Sequence, residues 1–393
     1  MSEWQLPRNY RYAGVVSGLR TEPDRRDLAV IISDTPAAAA GVFTQNRVCA
    51  APVHISRARL PRGDARAIVV CSGNANACTG EQGMADAERM AELTAIGVGC
   101  SPQQVLVAST GVIGRLLPMP ILEAGIPKAV AAARPGIDGF FFAAQAILTT
   151  DTKIKTVTRT IGDRTLTGFA KGAAMIGPNM ATMLGFLFAD VAVDPKDLHE
   201  ILTKSVQTTF NCISVEGHTS TNDTVFLLAN GTGPPLSGAS LAEFGDAVTS
   251  ACESLSRQIA ADAEGANHLI KLQIDGCRSF TEARTIAKAI AESALVKTAI
   301  YGADPNWGRI VSAAGYAGVP FEETDVAYLH IGPFSLYERG RPLPFDAVAV
   351  SGYLKANRDI TIDLRFALGT AACTFYTCDL TEEYVKLNAD YTT

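Results

Sequence analysis

A chain of 393 residues is longer than one ordinary core and is expected to fold as two lobes. Its composition, 47% hydrophobic and 19% charged with 34 glycines, excludes a disordered chain, and a net charge of −6 offers no basic stripe for nucleic acid and no polybasic membrane anchor. Residues 1–8 lack the apolar core of a signal peptide, the longest apolar stretches are too short to span a bilayer, and the nine cysteines contain no C-x-x-C pair, so a cytoplasmic protein with reduced thiols is expected.

In chain order, residues 28–33, 67–71 and 105–108 are short apolar runs bounded by turn residues, as buried strands are. Residues 155–160 and 165–169 flank Gly162-Asp163 and read as a hairpin. The stretch from Lys171 to Thr182 is rich in small residues and runs into apolar residues 183–188, a buried strand. Gly177 permits open dihedrals and Pro178 fixes its own φ, so a constrained loop delivers Thr182 to the start of that strand. Asp194-Pro195 is an N-cap followed by proline at the first helical position, with Leu198, Ile201, Leu202 and Thr209 on one face. Ser240 and Glu243 are spaced as a capping box ahead of Leu241, Phe244, Val248, Leu255 and Ile259, which repeat at helical spacing. Ile360, Ile362, Leu364, Phe366 and Leu368 alternate with polar residues, as a half-buried strand requires. Short strands alternating with amphipathic helices make the fold class α/β.

The five histidines, His54, His199, His218, His268 and His330, show no metal-ligand spacing, and neither G-x-G-x-x-G nor a P-loop occurs. No metal and no bound cofactor is therefore expected. Asn222-Asp-Thr and Asn230-Gly-Thr match glycosylation sequons and, without a secretory signal, carry no weight.

Thr182 is the position with latent chemistry. A threonine hydroxyl is a weak nucleophile unless a base stands beside it, and an N-terminal threonine supplies one in its own α-amine, of reference pKa about 7.7–8.0. Exposing that amine requires a cut before Thr182, made when its hydroxyl attacks the carbonyl of Ala181 and water hydrolyses the resulting ester. Composition alone favours a plain loop-to-strand junction at this Ala-Thr pair, since Ala-Thr dipeptides are common.

The segment from Lys171 to Leu184 resembles the nucleophile motif of the ornithine acetyltransferase (glutamate N-acetyltransferase) family. Further matches follow in that family's order along the whole chain: Gly41-Val-Phe-Thr44, Ala50-Ala-Pro-Val53, Ser72-Gly-Asn-Ala-Asn-Ala-Cys-Thr-Gly80 and Ser109-Thr-Gly-Val-Ile-Gly114. Thr149-Thr-Asp151, Ser220-Thr-Asn-Asp-Thr224, Asp262-Ala-Glu-Gly265, Asp304-Pro-Asn-Trp-Gly-Arg309 and the ending from Cys378 to Thr393 complete them.

The resemblance implies a layered αββα fold like that of the N-terminal-nucleophile and DmpA-like enzymes. It implies self-cleavage between Ala181 and Thr182, giving chains 1–181 and 182–393 that stay together and assemble as α2β2. Thr182 is implied as nucleophile and Thr110 with Gly111 as oxyanion hole. Thr149, Lys171, Thr182, Glu264, Asn388 and Thr393 are implied as substrate contacts, so the tail folds back into the site. The implied substrates are N2-acetylornithine and glutamate: a lysine suits their α-carboxylates, and a carboxylate suits ornithine's ammonium. Acetyl-CoA is left open as a second acetyl donor. Asn306-Trp-Gly-Arg309 reads as structural packing.

Two places depart from the family pattern. Glu216 and His218 stand where acidic residues usually precede Thr-Ser-Thr, and Asn267-His268 replaces a usual Thr-Lys pair, so acceptor preference is open. His268 reads as a solvated strand-start histidine. Three other readings share parts of the pattern: an N-terminal-nucleophile amidohydrolase passing its acyl group to water, an acetyltransferase of specialised metabolism with another acceptor, and an uncleaved binding subunit.

Overall fold

The computed structural model describes residues 4–177 and 183–390. The first half of the chain runs β1 (Tyr10–Val15), β2 (Leu28–Phe43), α1 (Ala51–Arg59), β3 (Arg62–Asn74), α2 (Gly80–Val98), β4 (Val105–Val112), α3 (Met119–Ala132), α4 (Ile137–Ala146), β5 (Lys155–Ile161) and β6 (Arg164–Lys171). After the undescribed stretch come β7 (Leu184–Ala189), α5 (Pro195–Thr208), β8 (Thr224–Ala229) and α6 (Gly238–Ala261). These strands form one sheet in the order β4-β3-β2-β8-β7-β6-β5, with β1 paired to β2.

Strand β2 is far longer than its apolar start suggests, because Pro36 does not end it. The proline falls in a register shift of the β2–β3 ladder between Ile32 and Ala37, where no ladder N–H is needed. Past that bulge the strand keeps β3 as a neighbour only as far as Ala39 and pairs on its other edge with β8 from Ala38 to Phe43. The sheet thus folds over, and side-chain alternation divides it into layers. Ile31, Ile68, Val70 and Leu106 from one half share a core with Phe169, Phe186, Phe188 and Phe226 from the other. The outward residues Val30, Val69 and Val107 pack on Met90 of α2 and Ile126 of α3, while Leu166, Leu187 and Leu227 pack on Leu202 of α5 and Phe244 of α6. The order helix, sheet, sheet, helix is the layered αββα arrangement.

The remaining chain forms the second lobe: β9 (Leu269–Cys277), α7 (Phe280–Glu292), α8 (Ala294–Tyr301), α9 (Trp307–Gly315), β10 (Val326–Ile331), β11 (Phe334–Glu338), β12 (Arg341–Pro342), α10 (Ala347–Ala356), β13 (Asp359–Phe366), β14 (Ala371–Cys378) and α11 (Glu382–Asp390). Its sheet runs β12-β11-β10-β13-β9-β14 over its own core. Trp307 of the Asp304–Arg309 motif packs there beside Tyr337, ring centroids 5.1 Å apart, in keeping with a packing role.

Local expectations fare unevenly. The hairpin closes on Gly162-Asp163 with Ile161 opposite Arg164, and the Asp194 side chain accepts from Lys196 N–H at the start of α5. The Ser240–Glu243 capping box does not form. Helix α6 begins earlier, behind Ser237, and the Ser240 hydroxyl instead donates back to the Ser237 carbonyl at 2.9 Å. Among the described residues no helix is long and apolar enough to cross a membrane.

Candidate active site

The site is built at the ends of β3, β4 and β6. Strand β4 continues through Ser109-Thr110-Gly111, pairing in parallel with Cys71-Ser72-Gly73 of β3. Gly111 holds φ +132°, and a Cβ there would meet the carbonyl carbon of Gly73 at 2.3 Å and Asn74 N at 2.5 Å. Only glycine permits that approach. Asn222 ties the ends together, its buried amide donating to the carbonyls of Ala75 (2.6 Å) and Ser109 (2.8 Å).

Lys171, the last residue of β6, is buried, and its ammonium donates to Thr149 Oγ1 at 3.3 Å. Beneath it lies an ion network. Lys155 Nζ stands 2.6 Å from both Asp151 and Asp262, and Asp151 also accepts from Gly172 N–H at 2.6 Å and Thr149 N–H at 3.1 Å. Burial works to raise the Asp151 carboxyl, but the Lys155 and Lys171 ammoniums and the Gly172 N–H outweigh it and hold it below the usual carboxylate range. Burial lowers the Lys171 ammonium from its ordinary value, against the pull of Asp151, Asp223 and Glu264. The network fixes the Thr149 turn and the Lys171–Gly172 corner as one unit.

Ala181 and Thr182 lie outside the described residues, as do Pro178 and Thr393. Both flanks of that stretch are tightly held. On the near side Met175 carries φ +58°, an uncommon value for a residue with a side chain, and Ile176 N–H donates to the Glu216 carboxylate. Gly177 is needed for contact rather than for open dihedrals, since a Cβ there would lie 2.3 Å from the Gly217 carbonyl carbon. On the far side Met183 N–H donates to Asp223 Oδ1 at 3.1 Å, and Leu184 pairs with Lys171 and Thr224 in the sheet. Asp223 is buried with Oδ2 lacking a partner among the described residues, and burial pushes its carboxyl well above the usual range.

From the other side, Glu264 follows α6 with its N–H on the Ala173 carbonyl at 2.9 Å, and α11 lies over it. Asn388 of that helix donates to Glu264 Oε2 at 3.1 Å, so the tail does fold back. Thr110, Gly111, Thr149, Lys171, Glu264 and Asn388, far apart in sequence, line one solvent-open cleft of about 670 Å³, within the usual range for a small-molecule site. Ser220, Thr221 and Asn222 line it too. They belong to the Ser220–Thr224 motif, whose pattern was visible but which carried no assigned role.

The two departures sit elsewhere. His268 is not a solvated strand-start residue: Nδ1 is 2.7 Å from Asp379 Oδ2 and Nε2 is 3.0 Å from the Leu354 carbonyl. Asn267 N–H also turns to Asp379, at 2.9 Å. Glu216 supports the loop at Ile176, and His218 is exposed. Among the described residues no group of three or more His, Cys, Asp or Glu side chains is placed to hold a metal ion.

A comparison with protein families matches the ArgJ family over residues 11–393. The chain belongs to the ArgJ family. It is 44% identical to the arginine biosynthesis bifunctional protein ArgJ 1 of Nostoc sp., each chain covered in full, and 44% identical to the corresponding protein of Geobacter sulfurreducens over 98% of this chain and 99% of that one. A crystal structure of the ArgJ protein of Bacillus halodurans superposes with a TM-score of 0.52 at 39% identity, covering 53% of this chain and 100% of the solved one. The resemblance carried by the motifs therefore holds, and membership of the ArgJ family makes the chain an acyltransferase.

Proposed function

We propose that the chain transfers acetyl from N2-acetylornithine to glutamate through an acetyl ester on Thr182, after cutting itself between Ala181 and Thr182. The observation that carries this reading is the convergence of Thr110, Gly111, Thr149, Lys171, Glu264 and Asn388 on one cleft, in a chain of the ArgJ family. In the first half-reaction the Thr182 hydroxyl attacks the acetyl carbonyl. Its proton passes through the Thr182 α-amine to the departing nitrogen as the C–N bond breaks, and ornithine leaves. In the second half the glutamate amine attacks the ester, the C–O bond breaks, and the proton returns to the Thr182 oxygen.

Thr110 and the backbone at Gly111 form the oxyanion hole, where each donor aimed at the developing charge is worth about 3 kcal/mol. Lys171, set by Thr149 and the Asp151 network, receives the substrate α-carboxylate, and Glu264 with Asn388 receives ornithine's side-chain ammonium. Thr393 is the remaining proposed contact. A strained loop at Met175 on one side and the Asp223–Met183 anchor on the other favour a cut between them. The solved chain of the Bacillus halodurans protein is covered in full by 53% of this chain, close to the share that runs from Thr182 onward.

The proposal extends to acetyl-CoA as a second acetyl donor to the same hydroxyl, in line with the bifunctional names of the relatives. It includes no bound cofactor, an α2β2 assembly of chains 1–181 and 182–393, and a cytoplasmic setting. Intact mass under denaturing conditions with N-terminal sequencing tests the first step. Two fragments, the second beginning Thr182-Met183-Leu184, support it, and a stable single chain sinks it. Parallel initial-velocity lines for the two substrates support acyl transfer, whereas release of free acetate despite saturating glutamate supports an amidohydrolase.

A further inference from the structure

Lys297 of α8 is buried, and the chemistry above does not use it. Its ammonium donates to the Val215 carbonyl at 2.7 Å, the Cys378 carbonyl at 2.6 Å and the Thr377 hydroxyl at 3.3 Å. Those two carbonyls lie on the arms of a fork. Ile213 bridges to Tyr376 beside β14, and Ser214 N–H donates to the Tyr376 carbonyl at 3.0 Å. Beyond these residues one arm turns to Ile176, while the other ends β14 at Cys378 and runs on to α11. Buried carbonyls need donors, and Lys297 Nζ spans the fork and serves one on each arm.

The first arm grips Ile176 at both of its backbone polar groups. The N–H groups of Val215, Glu216 and Gly217 converge on the Ile176 carbonyl at 2.8, 3.3 and 3.1 Å, and Ser214 Oγ donates to it at 3.3 Å. The Ile176 N–H donates to the Glu216 carboxylate. Residues 176–177 stand directly before the undescribed stretch that contains Ala181 and Thr182. The second arm leads through Thr381, bonded to the Gly265 carbonyl, to Asn388 on Glu264. One ammonium thus joins the near flank of the proposed cut to the root of the tail wall. Burying an ammonium among neutral acceptors is costly, so an apolar side chain would serve better if filling space were the only need.

We propose that Lys297 is a positioning residue for self-cleavage: by fixing the Val215 carbonyl it holds the 214–217 segment that sets Ile176 and the start of the cleaved loop. This rests on the self-cleavage reading and adds to it a residue on the opposite side of the 214–217 segment from the loop. The link runs from Lys297 to Val215, from Val215 to Ile176, and from Ile176 into the loop.

The test follows the conversion of purified full-length chain into fragments by intact mass. Lys297→Met fills similar space and cannot donate, and its self-cleavage is expected to slow roughly ten- to a hundredfold, the range for hydrogen bonds made by a charged group. Lys297→Arg keeps charge and donors and is expected to recover most of that rate. Val350→Ala, in the second-lobe core and outside this set of bonds, is the control for lost stability, expected to cut at the unaltered rate although its melting temperature falls. Should Lys297→Met give no soluble chain, Lys297→Gln takes its place, since its amide still serves one carbonyl, and a smaller slowing is expected. Unaltered cleavage in the Met or Gln variant overturns the proposal, as does an Arg variant no faster than Met or Gln, or a Val350→Ala chain slowed as much. If the unaltered protein itself stays uncut, it is the self-cleavage reading that fails.

Discussion

Asn388 in the last helix and Glu264 beyond α6 lie 124 residues apart in sequence, yet the amide of one donates to the carboxylate of the other at 3.1 Å. The contact makes the tail a wall of the cleft rather than an appendage. Two further bonds set its geometry: Thr381 Oγ1 donates to the Gly265 carbonyl at 2.7 Å, and Tyr384 N–H donates to that same hydroxyl at 3.0 Å. A Cβ at Gly265 would meet Tyr384 N at 2.5 Å, so the helix sits directly on the turn that carries Glu264.

Replacing Asn388 by Ala removes the donor that orients Glu264 without touching the nucleophile loop. Hydrogen bonds to charged groups contribute about 1.5–3 kcal/mol, so KM for N2-acetylornithine is expected to rise roughly tenfold or more. Self-cleavage should proceed as in the unaltered chain. Steady-state kinetics beside a denaturing gel separates the two, and a loss of cleavage would show that the tail is needed before the nucleophile is freed.

Gly111→Ala tests the oxyanion loop. The new methyl collides with backbone atoms of β3, which cannot swing aside as a side chain would, and φ +132° is foreign to alanine. The end of β4 must then move away from Gly73. Since donor placement rather than donor presence is at stake, acetyl-enzyme formation is expected to slow by about a hundredfold or more, while strain costs roughly 1–3 kcal/mol of stability. Rapid-quench mass measurements of acetylation, read against a thermal melt, check it. A variant that acetylates normally would remove Gly111 from the mechanism.

What the sequence makes legible here is local. Strand alternation, the Gly162-Asp163 hairpin and the Asp194-Pro195 cap are each determined within a few residues, and the structure has them. The pocket residues named from the motifs meet because each motif sits at a strand end or a helix end facing the same cleft. What escapes local reading depends on partners distant in the chain. Pro36 looks like a break and is absorbed by a bulge, because β2 is changing neighbours at that point. Asn222 looks like a sequon and instead ties β3 to β4. Ser240 has the spacing of a cap, but the helix begins before it.

Glu216 carries a pH dependence of defined sign. Burial pushes its carboxyl up to about 7, and Ile176 N–H and the Lys297 ammonium offset only part of that. A folded value above the unfolded one means that the stabilisation is complete below about pH 4.5 and is lost as pH rises through about 7. Glu216→Gln keeps an oxygen for Ile176 and removes the charge. The variant is expected to match the unaltered protein near pH 4.5 and to exceed it by roughly 1–3 kcal/mol at pH 8, allowing for partial solvent screening. Urea unfolding at the two pH values decides it, and equal stability at pH 8 would mean that the carboxylate is solvated.

His268 gives the mirror case through a different partner. Both ring nitrogens face acceptors, Asp379 Oδ2 and the Leu354 carbonyl, and only the doubly protonated ring can donate to both. The hydrogen bond to Asp379 raises its pKa, and its partial burial opposes the rise without cancelling it. The stabilisation is therefore complete below the unfolded value of about 6.5 and is lost as pH rises through the higher folded value. His268→Gln is expected to cost about 1–2 kcal/mol at pH 6 and progressively less above it. Asp379→Ala removes more, because that carboxylate also receives the backbone N–H groups of Asn267 and His268, and that part of the loss does not titrate with the ring. Following the His268 ring proton by NMR alongside unfolding at each pH tests both statements. A ring that titrates at or below 6.5 would show that this clamp between β9, α10 and the end of β14 is held by a neutral imidazole, with no pH-dependent loss to observe.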